Sequence, residues 1–284
     1  MKETDVSRRR FLAGGTIGVV GLGGTSPSAA QGVPRRDPEQ TPDEPSPKQV
    51  LITAAESPLA QVIAAELTDR YRVSLTARGD ARSDFPLTKA PLDADETTAA
   101  LVRGKDALVH VAEPAPADHK ITPIDYRTRL TYNLLQAASR AGVRRVVYLS
   151  SLELLTAYGE DFQVTEDWRP RPGSDPRLLS HYLGEFTCRE FAREGAFSVV
   201  ILRLGKVVRA DEVAGRPFDP LGVDQRDVAR AVALALAALE ASDGRKLGPW
   251  SVFHVQADSP PARFSIQKAK RVLGYRPQFN GGTP

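Results

Sequence analysis

The sequence predicts an α/β fold, a doubly wound parallel sheet with helices on both faces. Three observations predict it. From Val50 onward, short β-branched runs alternate with longer segments of helical period, the rhythm of strand, crossover helix and parallel strand. Helix start and stop signals fall between them: Ser57-Pro58 opens one helix, and Gly142 and Gly195 close two others. The chain has 284 residues, 41% of them hydrophobic and 26% charged, which gives room for one large α/β unit or two small domains.

The elements follow in order. Val50 to Thr53 is the first expected strand, and a helix over residues 58 to 69 comes next. Ser57 is placed to cap that helix, and Pro58 at its first position loses nothing by lacking an N–H. Arg72 to Leu75 is the second strand, followed by a helix over 95 to 103 and a third strand over Ala107 to His110. A helix over 124 to 141 stops at Gly142, and the strand Val146 to Leu149 leads to a helix over 178 to 194 that stops at Gly195. Val199 to Leu202, an alanine-leucine helix over 224 to 241, and Ser251 to Val255 complete the sheet and its cover.

Ahead of this unit the chain is of another kind. Ser7-Arg8-Arg9-Arg10-Phe11-Leu12 precedes a weakly apolar, glycine-rich run from Ala13 to Gly24 and then Ser28-Ala29-Ala30. The segment 1–30 resembles a bacterial twin-arginine signal peptide with cleavage after Ala30, so the protein is expected to be exported to the periplasm or beyond. The apolar run is shorter than the ~20 residues that span a bilayer, so no stable membrane span is expected after cleavage. Within it, Gly15-x-x-Gly18-x-x-Gly21 has the spacing of a dinucleotide loop, but no strand precedes Gly15 to aim backbone amides at a diphosphate. Residues 31–48, with Pro34, Pro38, Pro42, Pro45 and Pro47 among charges, read as an extended linker.

Composition narrows the partners. Lys and Arg total 38 against 35 Asp and Glu, a net charge of +3 spread over the chain rather than the concentrated basic stripe a nucleic acid would need. Cys188 is the single cysteine, and His110, His119, His181 and His254 are scattered without ligand spacing, so no metal site is expected. A small molecule is the expected partner.

Five motifs in order carry a family resemblance over nearly all of residues 49 to 280. They are Lys48 to Thr53, Asp106 to Ala112, Asn133 to Ala138, Gly142 to Ser151 and Val200 to Gly205, with Ala269 to Pro277 similar to the closing helix and turn. Together they resemble the extended short-chain dehydrogenases, the NAD-dependent epimerase/dehydratase family. The resemblance implies a Rossmann-type NAD(P)-binding domain over 49–204, and a C-terminal part over 205–284 with a small substrate lobe and a final helix. It also implies NAD or NADP as cofactor.

Residue by residue, the match is incomplete. The family's T-G-x-x-G-x-x-G is held here by Thr53-Ala54-Ala55-Glu56-Ser57-Pro58-Leu59-Ala60, with all three glycines replaced. Those glycines serve a tight turn, backbone approach to the diphosphate, and helix packing on the strand. Ala54 and Ala60 each add one methyl, Ser57 offers a hydroxyl, and Glu56 puts a carboxylate where an anion should lie. The acidic residue that ends the family's second strand is missing, and Arg78 stands there instead, in reach of a 2′-phosphate on this reading. Thr53, Ala54, Ser57, Ala60, Arg78 and Ala112 are thus the cofactor-binding candidates.

For catalysis the resemblance points to Tyr182 as the acid-base group and Ser151 as the hydroxyl that orients it, the usual hydroxyl position falling near Leu152. The lysine expected four residues after the tyrosine is Phe186, and none of the nine lysines follows any tyrosine at that spacing. Residues i and i+4 share a helix face, so an ammonium there lowers the phenol pKa, which Phe186 cannot do. Arg203 and Lys206 are expected as charge-paired surface residues, and Trp168 and Trp250 as packing. Two functions stay open: an oxidoreductase of a sugar-like or carbonyl small molecule, or a catalytically inactive protein of the same fold that binds a ligand or partner protein.

Overall fold

A computed structural model describes residues 47–113, 122–209, 211–212, 219, 221–241, 247–258 and 262–279. The segment 1–30 and almost all of the linker 31–48 lie outside them, as does His119.

The longer strands form where β-branched runs are buried on both faces, and three short ones lack such a run. They are β1 (Gln49–Ile52), β2 (Arg72–Ala77), β3 (Leu87–Lys89), β4 (Ala107–His110), β5 (Arg145–Ser151), β6 (Ser198–Leu204), and, after the small pair β7 (Lys206–Val208) and β8 (Gly222–Asp224), β9 (Trp250–Val255). Seven of them make one sheet in the order β3-β2-β1-β4-β5-β6-β9, every pair parallel. Helices return the chain between the parallel strands, α1 (Pro58–Leu67), α2 (Glu96–Val102), α3 (Pro123–Asp125), α4 (Thr131–Arg140), α5 (Pro176–Arg193) and α6 (Gln225–Ala241), except from β2 to β3, where a loop does. A last helix, α7 (Gln267–Val272), closes the fold.

Strand alternation sorts the core into two layers. Val147, Leu149, Val200 and Leu202 face α1 and α6, which bury Ala60, Ile63, Val228 and Val232 against them. Val146, Tyr148, Val199 and Ile201 point the other way, onto Leu134, Leu135 and Cys188 of α4 and α5. A third cluster of Leu152, Leu154, Leu155, Val164 and Phe264 underlies the smaller lobe, which a parallel bridge between Val164 and Phe264 ties together.

The sheet does not end with residue 204. β9 is its seventh strand and α6 packs on β5 and β6, so only part of 205–284 belongs to the lobe, together with residues that follow β5. β3, β7 and β8, each of three residues, carry no apolar run that marks them in the sequence.

Candidate functional site

The sheet order reverses between β1 and β4, and the crevice outside the C-terminal strand ends at such a point is where open α/β sheets take ligands. Residue by residue, the crevice starts at the turn after β1. Ala54 has φ +59°, the left-handed conformation that glycine adopts most freely, and Ala112 after β4 has φ +55°. Ala54 thus keeps the turn geometry of the missing first glycine with a side chain in place. Ala60 is fully buried and packs α1 on the sheet, the role of the third glycine.

Thr53 faces inward. Its Oγ1 accepts from the Val111 amide (3.0 Å) and pairs with His110 Nδ1 (2.8 Å), while His110 Nε2 pairs with Thr131 Oγ1 (2.9 Å), which donates to the Tyr126 carbonyl (3.1 Å). With Thr53 donating to Nδ1, the ring carries its proton on Nε2, a tautomer assigned by the network. Burial pushes the His110 pKa down to about 3, with Arg127 adding to the effect, so the ring is neutral and the threonine hydroxyl is spent in the core.

Two carboxylates occupy the start of α1. Glu56 Oε1 accepts from the backbone amides of Arg78 (2.6 Å) and Gly79 (2.7 Å), just past the end of β2. Ser57 sits at the N-cap position, but its side chain does not cap the helix: Oγ donates to Glu113 Oε2 (2.8 Å), across the crevice from the loop after β4. The Arg78 guanidinium turns to the Pro91 carbonyl, which Nε reaches at 3.0 Å.

Beyond Ser57 and Glu113 the crevice widens into a cleft of about 430 Å³ whose polar lining includes Arg127, Ser150, Ser151, Glu153, Arg177 and His181. Ser150 and Ser151 end β5. Ser151 Oγ accepts from the Glu153 amide (3.1 Å), capping the short turn Leu152–Leu155, and Leu152 is buried in the lobe cluster. Arg177 and His181 stand one turn apart on the same face of α5. Gly184, three residues on, brings that helix close to β5, because a Cβ there would lie 1.9 Å from the Tyr148 hydroxyl oxygen. Burial, then Arg127 and Arg177, hold the His181 pKa down to about 3. Arg127 comes from a turn of π-helix, Tyr126–Leu130, that links α3 to α4.

Tyr182 is not in this cleft. With Phe186, Trp168, Trp250 and the Glu185 and Arg203 pair it lines a second hollow of about 390 Å³. One residue along a helix is a rotation of about 100°, so His181 and Tyr182 face different cavities. Ser151, paired with Tyr182 by the sequence, lines the first hollow, and Tyr182 the second. Phe186 is 49% exposed at the lysine position. Arg203 is not a surface residue: it makes a bidentate bond to Glu185 (2.9 and 2.8 Å), both side chains about 95% buried. Lys206 is exposed beside Asp219 as expected, and Trp168 packs edge-on against Tyr158 at 4.6 Å. Among the described residues no cluster of His, Cys, Asp and Glu could hold a metal ion, and no helix is long and apolar enough to cross a membrane.

Sequence reasoning passed over Arg127, Arg177, His181 and Glu113. A signal for two of them was present, since Arg177 and His181 recur with Gly184 at helical spacing on one face of α5.

A seven-stranded parallel sheet with helices on both faces, a crevice at its switch point and a separate small cluster define a Rossmann-type α/β protein. The profile of the NAD dependent epimerase/dehydratase family matches residues 50–220, and the chain belongs to that family. It is 26% identical over 264 residues, 82% of this chain and 95% of the relative, to the uncharacterized protein YtbQ of Bacillus subtilis (strain 168). Among solved structures it is similar to a short-chain dehydrogenase/reductase superfamily protein from Agrobacterium tumefaciens with bound NAD (TM-score 0.66, 21% identity, 81% of this chain and 92% of that one). It is also similar to glucuronic acid dehydrogenase from Chromohalobacter salexigens (TM-score 0.64, 21% identity, 82% and 85% covered).

Proposed function

We propose that this chain is an exported member of its family that binds a small molecule in the Arg127–His181 cleft and has given up dinucleotide-linked hydride transfer. The observation that carries this is the Ser57–Glu113 hydrogen bond across the switch-point crevice, the path a dinucleotide diphosphate must take. Glu56 adds a second carboxylate and takes up the two amides at the end of β2. A carboxylate about 5 Å from a phosphate charge, at an effective dielectric constant of ~20, would oppose it by roughly 3 kcal/mol. The residues at the crevice do not fit the dinucleotide, and no ammonium stands four residues after Tyr182. Export is supported by the arginine pair at Arg8 and Arg9 ahead of its apolar run.

One observation favours the other reading, an NAD- or NADP-dependent enzyme of sugar-like or carbonyl molecules with Tyr182 as acid-base group. Ala54 keeps the left-handed turn of a diphosphate loop. A direct experiment separates the two: native mass spectrometry of the protein purified from its exported fraction, with calorimetric titration of NAD and NADP. No copurified dinucleotide and no heat of binding are expected. A stoichiometric dinucleotide, or binding in the micromolar range, overturns the proposal. Replacing Arg8 and Arg9 by lysine should hold the precursor in the cytoplasm, and unchanged export of that variant overturns the location.

A further inference from the structure

Arg127 is 6% exposed, its Nη1 donates to Ser180 Oγ (3.2 Å) and its Nε has no partner. Among the described residues no carboxylate lies within 4.0 Å of its guanidinium. A buried cation without a counter-ion is unfavourable by several kcal/mol, and proteins tolerate such a group where a ligand completes it. The π turn that presents it spans one residue more per hydrogen bond than an α-helix, a feature that recurs at functional sites.

Further donors converge on the same cleft. Ser150 is 4% exposed and its Oγ has no partner, and His181 Nδ1 is likewise buried without one. Arg177 is already paired with Glu153 (2.5 Å), and Glu113 is held by Ser57. The charges of Arg177 and Glu153 cancel. Arg127 is then the cation that no carboxylate touches; with Glu113 the four charges of the cleft sum to zero, so a second negative charge on a ligand would have no free cation to meet.

We propose that the cleft binds a small monocarboxylate bearing hydroxyl groups, its carboxylate on Arg127 and Ser150 and its hydroxyls toward His181, Glu153 and Glu113. This deepens the function proposed above and shares with it only the choice of cleft. A carboxylate on guanidinium makes charge-assisted bonds with matched planar geometry. The neutral imidazole of His181 offers a hydroxyl both a donor and an acceptor. A volume of about 430 Å³ accommodates a ligand of monosaccharide size.

The test is a matched pair of sugars that differ in one group. D-glucuronate and D-glucose share the ring, one carrying a carboxylate where the other has a hydroxymethyl. The full chain is titrated with each by calorimetry and heated in the presence of each, without dinucleotide. Glucuronate is expected to bind and raise the unfolding temperature, and glucose to do neither at the same concentration. Arg127→Met should weaken glucuronate binding by roughly 100-fold, while its ligand-free unfolding temperature stays level or rises because an uncompensated charge has left the interior. The exposed Arg140→Gln, which removes the same charge elsewhere, should bind as the native chain does. Should Arg127→Met not fold, Ser150→Ala carries the test, with an expected loss of roughly 10-fold. No response to glucuronate at about 10 mM, equal binding of glucose, or native affinity in Arg127→Met or Ser150→Ala each overturns the proposal. Binding of NAD or NADP would instead overturn the function proposed above and leave the sugar comparison standing.

Discussion

Ala54→Gly tests which of the missing glycines the fold still needs. At φ +59° an alanine bears a strain of about 1 to 2 kcal/mol that glycine does not. Against this relief stand two losses. Glycine gives the unfolded chain more freedom, at about 0.4 to 1 kcal/mol. The Ala54 methyl is 96% buried, and removing it forfeits about 0.8 kcal/mol of burial. The three terms nearly cancel, so Ala54→Gly should change stability by less than ~1 kcal/mol in either direction. Ala60→Gly is the comparison, because Ala60 is fully buried in regular helix and has no strain to release. It should lose about 1 to 2 kcal/mol. The gap between the variants isolates the strain, and at ~2 to 4 °C per kcal/mol for a domain of this size it amounts to several degrees. Urea unfolding with unchanged slope, backed by thermal melting, measures it. Equal losses in the two variants would refute the left-handed turn at Ala54.

The carboxylates, the histidines and the helix contact each yield a further outcome. Restoring glycine at 54, 57 and 60 should bring only a small gain in NAD or NADP affinity, whereas adding Glu113→Ala and Glu56→Gln should raise it by up to roughly 10⁴-fold, since two like charges of roughly 3 kcal/mol each leave the crevice; calorimetry showing the full gain from the glycines alone contradicts the electrostatic account. His110, His181 and His254 have folded pKa values pushed down to about 3, chiefly by burial, against ~6.5 when unfolded. The unfolded chain therefore binds more protons below about pH 6.5, and stability should fall on acidification by up to ~4 kcal/mol per pH unit near pH 5; urea midpoints that stay level from neutral pH to 5 contradict it. Gly184→Ala should cost ~3 kcal/mol or prevent folding, because its Cβ would meet the Tyr148 oxygen at 1.9 Å. Tyr148→Phe, which removes a buried hydroxyl without a partner, should be near neutral alone and restore part of that loss in the double variant, as melting curves can report.

What the sequence made legible was whatever depends on period and punctuation. The six long strands and the helices between them fall within a few residues of their expected places, because burial on both sheet faces demands β-branched runs and Gly142 and Gly195 mark real helix ends with φ of +83° and +75°. What stayed hidden depends on where a side chain turns. Ser57 looks like a helix cap and spends its hydroxyl on Glu113, 56 positions away. Arg203 looks like a surface charge, yet Glu185 from α5 meets it in the interior. The tyrosine motif depends on phase. α5 has no clean apolar stripe, burying Ser180, Gly184, Glu185, Cys188 and Ala192, so nothing in its pattern says whether His181 or Tyr182 looks into the cleft. Gly184 supplies the phase, but only once Tyr148 is known to lie against it.

The Ser57–Glu113 bond links the two ends of the crevice. At the α1 end it puts a carboxylate across the diphosphate path; at the other it keeps that carboxylate anchored away from Arg127, whose charge it already senses. If Glu113 were free, it would be the natural counter-ion for the buried guanidinium, and the cleft would satisfy itself. Held by Ser57, it leaves the guanidinium to be completed from outside. Replacing the family's second glycine by serine therefore does more than crowd a backbone approach. On the function proposed here, the same hydroxyl that disfavours a dinucleotide keeps the cleft open to a small anion, so loss of one ligand and retention of the other have one physical cause.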